Sequence, residues 1–236
     1  MEQILSGFVE DVQHLFGSEL VAAFLYGSAA SGEHVSGRSD INVVVVLTRV
    51  TPALLRKASG RLRSWSRQGF ATPMFFDPEF LRHALEVFPI ELLDMQERHR
   101  MLWGPDLVAD LRIEREALRR QCEQELRGKL LKLRQAYVES SRSPRDLESV
   151  LTTATSGLVV LARMLLHLAR AEESGGTEAV LARVEAQFQV SVANLRKSWQ
   201  LKRGEARVTG SEIDLLYQAV LEEFQRLVEV VDALPA

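Results

Sequence analysis

Between residues 21 and 47 an apolar run stops at a glycine, a loop of small residues follows, and a second apolar run opens behind an aspartate. Val21-Ala22-Ala23-Phe24-Leu25-Tyr26 leads into Gly27-Ser28. Ala29, Ala30, Ser31, Gly32, Ser36, Gly37 and Ser39 make up most of the loop. Asp40-Ile41-Asn42 then leads into Val43-Val44-Val45-Val46-Leu47. That last run shows no polar alternation, so it reads as a central strand buried on both faces. Small residues at the end of the first strand let the backbone approach a ligand closely, and exposed amides there suit phosphate. A carboxylate at the head of the next strand can hold a metal ion that the phosphates share. Asp40 and Asn42 lie two apart, which puts both side chains on one face of a strand.

The elements around this stretch alternate. Ile4, Leu5, Phe8, Val9, Val12, Leu15 and Phe16 recur at helical spacing, and Gly17 is placed to end that helix. Thr51-Pro52 caps another, with Leu55, Leu62 and Trp65 on its buried face and Arg56, Arg63 and Arg67 on another. Those arginines read as a solvated face, with contact to a polyphosphate as the sharper alternative. Phe70 to Phe76 reads as a strand, Asp77-Pro78 opens a helix that Pro89 breaks, and Ile90 to Met95 reads as a fourth strand running on to Trp103. Gly104-Pro105 closes the segment. This predicts an α+β or α/β domain over residues 1–105 with a small mixed sheet. Residues 106–236 read as an all-α antiparallel bundle, with stripes such as Leu118, Cys122, Leu126, Leu130 and Leu133 in its long helices.

The pattern Gly27-Ser28, eleven residues, then Asp40-Ile41-Asn42-Val43 resembles the nucleotidyltransferase superfamily, the polymerase-beta-like fold that includes aminoglycoside nucleotidyltransferases. There the pattern is Gly-Ser or Gly-Gly, a spacer of about nine to thirteen residues, then Asp, a hydrophobe, Asp or Glu, and a hydrophobe. The motif covers about twenty residues and the wider resemblance about the first hundred. It implies transfer of a nucleoside monophosphate from a nucleoside triphosphate, ATP by the resemblance, to a hydroxyl acceptor that the sequence does not name. Mg²⁺ would be the cofactor, held by three carboxylates. Asp40 supplies the first. Asn42 stands where the second belongs and offers an amide oxygen without a formal charge, so the metal would be held weakly. The third comes from a neighbouring strand. Thr72 to Phe76 has no acid, and Asp77 reads as a helix cap, so Glu91 is the choice, with Asp94 on the opposite face of the expected strand. The expected site is therefore Asp40, Asn42 and Glu91 for chemistry, Asp40 and Asn42 for metal, and Gly27, Ser28 and Ser39 for the nucleotide. Arg38 could reach a phosphate, though a surface arginine is the plainer reading. The departure at Asn42 supports a second reading, a nucleotidyltransferase-fold regulator that binds a nucleotide or a protein without transfer.

Other classes fit less well. A net charge of −3 over 236 residues argues against a dedicated nucleic-acid binder. Gly27, Gly32 and Gly37 are five apart, which matches neither the dinucleotide fingerprint nor a P-loop. The five histidines are scattered, against a zinc site. The most apolar run, Gly157 to Ala169, carries Arg163 and His167 and is too short to span a membrane. With the single Cys122 and no signal-peptide pattern at the start, a cytoplasmic location without membrane partners is expected. A homodimer is left open. The basic segment Arg196 to Arg207 reads as a solvated loop.

Overall fold

The computed structural model describes residues 1–35, 39–171 and 175–234, and the chain divides into two compact units, Met1–Glu114 and Arg115–Ala236.

The first unit is built on a four-stranded sheet of β1 (Leu20–Tyr26), β2 (Asn42–Leu47), β3 (Met74–Phe76) and β4 (His99–Trp103), in the order β3-β2-β1-β4. β1 runs antiparallel to both β2 and β4, while β3 lies parallel to β2, so the sheet is mixed. The all-apolar β2 is an inner strand, as its composition demands, and alternate residues enter two separate cores. Ile41, Val43, Val45 and Leu47 pack with Leu5, Phe8, Val12 and Phe16 of α1 (Glu2–Phe16), Leu54 and Ala58 of α2 (Pro52–Ser59) and Trp65 of α3 (Leu62–Arg67). Val44 and Val46 pack on the other face with Leu81 and Ala84 of α4 (Pro78–Ala84), Leu92 and Met95 of α5 (Pro89–Glu97), and Val108. Phe8 anchors the first core, with its ring 4.8 Å from Phe70 and 5.0 Å from Trp65. The segment after Pro105 packs with this unit, through Leu107, Val108, Leu111 and Ile113.

Several local expectations hold. Gly17 ends α1, and the Thr51 hydroxyl accepts from the Leu54 amide to cap α2. One does not: residues 90–95 form a helix, and the fourth strand is the following His99–Trp103. A short apolar run does not reveal its own period. Pro89 decides the matter by sitting at the first helical position, where its fixed φ favours a helix and its missing N–H costs nothing.

The second unit is helical among its described residues. α6 (Arg115–Ser140), α7 (Pro144–Leu168) and α10 (Gly210–Ala233) are long, and α8 (Thr177–Phe188) and α9 (Ala193–Arg203) join the last two. Arg127 pairs with Asp232 at 2.8 Å and Tyr137 donates to Asp214 at 2.8 Å, so α10 runs antiparallel to α6. Arg115 donates to the Leu168 carbonyl at 2.8 Å, so α7 does too. The expected basic loop is helix α9. Arg196 pairs with Glu178 and Glu185, and Lys202 bonds the Ser156 hydroxyl, so these cations tie the helix down. α7 is long and apolar enough to cross a membrane by length and composition, yet 56% of its most apolar window is buried inside the bundle.

Candidate functional site

The β1–β2 ladder ends at the pair Tyr26↔Asn42, so the Gly27 turn and the residues entering β2 meet at one end of the sheet. Gly27 takes φ +71°, a left-handed conformation that glycine adopts without steric cost. The chain then makes a single 3-10 turn, Gly27–Ala29. Gly27 donates its amide to the Arg98 carbonyl at 3.2 Å, and its own carbonyl accepts from Ala30 and Ser31 at 3.0 and 3.1 Å. The Ser28 carbonyl accepts from the Glu33 amide at 2.9 Å. The Ser28 and Ala29 amides open the turn, where helical geometry offers no internal acceptor.

Asn42 stands against this turn. A methyl group built on Gly27 would lie 3.5 Å from the Asn42 Nδ2. The Ile41 side chain is buried on the α1 face, so Asp40 and Asn42, which flank it, project to the other face. Asp40 is exposed and Asn42 half-buried. Ser39 closes the loop on itself: its hydroxyl accepts from the Val35 amide at 3.3 Å and its amide donates to the Val35 carbonyl at 2.9 Å. Arg38, like Ser36 and Gly37, lies outside the described residues.

Glu91 is not on a strand. It is exposed in the first turn of α5, and the strand geometry that suggested it is absent. β3, the neighbour of β2 in the sheet, has no acid. Asp77 follows β3 at the opposite end of the sheet and is a cap, accepting from Phe80 at 2.8 Å and from Val50 at 3.3 Å. Arg56, Arg63 and Arg67 ride on α2 and α3, which pack on the Ile41 face of β2.

Other groups converge that the motif does not mark. Tyr26 pairs with Asn42 on one side and with His99 on the other, making a row across three strands. Burial, and then the negative charge of Asp94, pushes the Tyr26 phenol up to about 12. Asp94 pairs with Arg98 one turn on, and the two side chains are 13% and 14% exposed. His99 has Nε2 2.9 Å from Asp106 Oδ2 and Nδ1 3.0 Å from the Gln96 carbonyl oxygen. Burial works to raise the Asp106 carboxyl, but the His99 contact and the Val108 and Ala109 amides outweigh it and hold the group below its usual range. The signal available for this set was Pro89: once residues 89–97 form a helix, Asp94 and Arg98 fall one turn apart.

The resemblance implies three carboxylates around divalent ions. Among the described residues no three His, Cys, Asp or Glu side chains gather in a way that could hold a metal ion. The residues present do not fit that arrangement; Asp40 and the amide oxygen of Asn42 are what the sheet end offers.

No protein-family description matches the chain, and no curated protein matches it in sequence. Among solved structures it is similar to spectinomycin adenyltransferase AAD(9) from Enterococcus faecialis, crystallised with ATP and spectinomycin. The TM-score is 0.59 at 12% identity, over 95% of this chain and 99% of that one. The chain, a mixed four-stranded sheet followed by a helical unit, thus shares its fold with that nucleotidyltransferase-fold protein.

Proposed function

We propose that the first unit binds a nucleoside triphosphate, ATP in the first instance, at the Gly27-Ser28 turn, for transfer of its nucleoside monophosphate to a hydroxyl acceptor. The observation that carries this reading is the contact between the Gly27 turn and Asn42, with an exposed Asp40 two residues before it in the chain. Backbone amides at the turn suit phosphate, and the Asp40 carboxylate at the strand head would hold a Mg²⁺ ion brought by the nucleotide. The likeness to an adenyltransferase crystallised with ATP and spectinomycin supports ATP as donor and a small molecule as acceptor class. Asp40 and Asn42 offer that ion one formal charge, so it is held weakly, and the catalytic role of Glu91 loses its structural support.

A second reading, nucleotide binding without transfer, is favoured by one observation: β3 carries no acid to take the proton from an attacking hydroxyl. Calorimetry of ATP with and without Mg²⁺ tests the first step. Binding strengthened by Mg²⁺, and losing that gain in Asp40→Ala, is expected. Binding indifferent to both the metal and Asp40 would overturn the site. Pyrophosphate release with a panel of aminoglycoside-like and other hydroxyl acceptors separates transfer from binding alone. Asn42→Asp restores a charge at the second ligand position and is expected to raise Mg²⁺-dependent ATP affinity.

A further inference from the structure

The Asp94–Arg98 pair sits against the candidate nucleotide turn and has no part in the reading above. Four observations locate it. The Arg98 carbonyl holds the Gly27 amide at 3.2 Å, so the residue is fixed to the glycine turn by its own backbone. Asp94 lies close enough to Tyr26, the direct neighbour of Asn42, for its charge to act on the phenol. Both side chains of the pair are largely buried, at 13% and 14% exposure. Among the described residues the buried Arg98 Nε has no hydrogen-bond partner, although one terminal nitrogen is engaged by Asp94.

A pair of this kind is poorly explained by stability alone. Desolvating two charges offsets most of their mutual attraction, so a buried ion pair is weak evidence for stabilisation. A guanidinium has five donors in a planar fork, and this one keeps a buried donor unused beside a turn of small residues. That fork matches two phosphate oxygens at once, and hydrogen bonds between ionised partners are the strong ones.

We propose that Arg98 is a polyphosphate ligand of the Gly27 site and that Asp94 is its positioning residue, holding the guanidinium at the turn until the nucleotide arrives. The assignment rests on the nucleotide-binding reading of the preceding subsection. No bond is made or broken in it. Phosphate oxygens take the unused edge of the guanidinium, and Asp94 keeps the other. It follows that removing Arg98 alone does double damage, because the Asp94 carboxylate is then left facing an anionic ligand.

The test uses the full chain, with ATP by calorimetry and inorganic tripolyphosphate as a competitor that has no base or sugar. Arg98→Gln is expected to weaken both roughly 10- to 100-fold. Arg98→Lys keeps the charge without the fork and is expected to fall between. In the double variant Asp94→Asn with Arg98→Gln, part of the lost affinity should return, since the repelling carboxylate is gone; a merely structural pair predicts no such recovery. Thermal unfolding of each variant shows whether it is folded at the assay temperature. If the wild type binds ATP and folded Arg98→Gln binds ATP and tripolyphosphate equally well, the assignment is overturned while the nucleotide reading stands. Loss of ATP affinity with tripolyphosphate unaffected overturns it too. A wild type that binds neither ligand removes the nucleotide reading and this assignment with it.

Discussion

Gly27 and Gly104 close opposite ends of the same sheet in nearly the same backbone conformation, φ +71° and +76°. Their surroundings differ. A methyl group on Gly104 would lie 2.2 Å from the Val21 carbonyl oxygen and 3.0 Å from the Ala22 Cα, so packed backbone requires the glycine. Among the described residues, on Gly27 it would meet only the Asn42 amide, at ordinary contact distance. The two aspartates near those ends divide in the same way. Asp77 accepts two backbone amides and finishes the start of α4. Asp40 is exposed at the head of β2. One end of the sheet consumes its polar groups in making the fold, and the other presents them outward. The proposed nucleotide site rests on that asymmetry.

The largest effect expected from this contrast is at Gly104. Gly104→Ala forces an overlap with backbone that cannot move cheaply, in addition to the left-handed strain. We expect a loss of about 3 kcal/mol or more and a fall in Tm on the order of 10 °C. Gly27→Ala carries the strain alone, about 1–2 kcal/mol, yet should weaken ATP binding, because the methyl group projects where the phosphates are to sit. Equal losses of stability at the two positions, measured by thermal unfolding, would break the comparison. Asp77→Ala comes next. Removing an N-cap carboxylate costs about 1 kcal/mol, and the Val50 amide loses its acceptor as well, with nucleotide affinity unchanged.

How much of this was readable beforehand follows from where the information lies. β2 declared itself because four valines and a leucine in a row, β-branched and without polar alternation, favour a strand in the middle of a covered sheet. Thr51-Pro52 and Asp77-Pro78 declared their helices because a capping side chain before proline is a local device, complete within a few residues. The Gly27–Asn42 meeting was likewise local, two strands and the loop between them. The strand expected over residues 90–95 does not form: four buried hydrophobes in six residues satisfy either period, and the helix is selected by Pro89 at its first position together with the packing of Leu92 and Met95 against Val44 and Val46. Asp94 and Arg98 meet beside the Gly27 turn only once that helix exists, and a strand over the same residues points to Glu91 instead. Helix α9 was misread for a related reason. Its cations look solvated in sequence, but Arg196 finds Glu178 and Glu185 on α8 only once both helices exist.

The acid side of the stability profile gives a smaller effect. Asp106 is held low by His99 and the Val108 and Ala109 amides against the effect of burial, and Glu185 by Arg196. A carboxylate whose folded value lies below its unfolded one adds stability above the unfolded value, and that contribution is lost as pH falls through the folded value. The ordinary values here are 3.8 and 4.5. Stability should therefore be level above about pH 5 and decline below about pH 4. Asp106→Asn keeps an acceptor for the two amides but cannot ionise, so it should flatten part of the decline. An unchanged acid limb in Asp106→Asn would show that its contacts to His99 and the amides are not coupled to folding.

The smallest effect, on stability, belongs to Asp40→Ala, and it is the most demanding test of the contrast between the sheet ends. Asp40 lies on the surface before β2 and caps no helix, and the strand start is secured without it: Ile41 donates to the Gly69 carbonyl at 2.8 Å and accepts from the Ala71 amide at 3.0 Å. A surface substitution with no side-chain partner to lose among the described residues stays within about 0.5 kcal/mol. Removing a carboxylate beside a turn whose amides attract phosphate also lowers local negative charge. Bare ATP affinity should therefore hold or rise slightly when Mg²⁺ is absent and fall only when it is present. An Asp40→Ala protein destabilised as much as Asp77→Ala would place Asp40 among the fold's own supports, and the outward-facing end of the sheet would lose its distinction from the closed one.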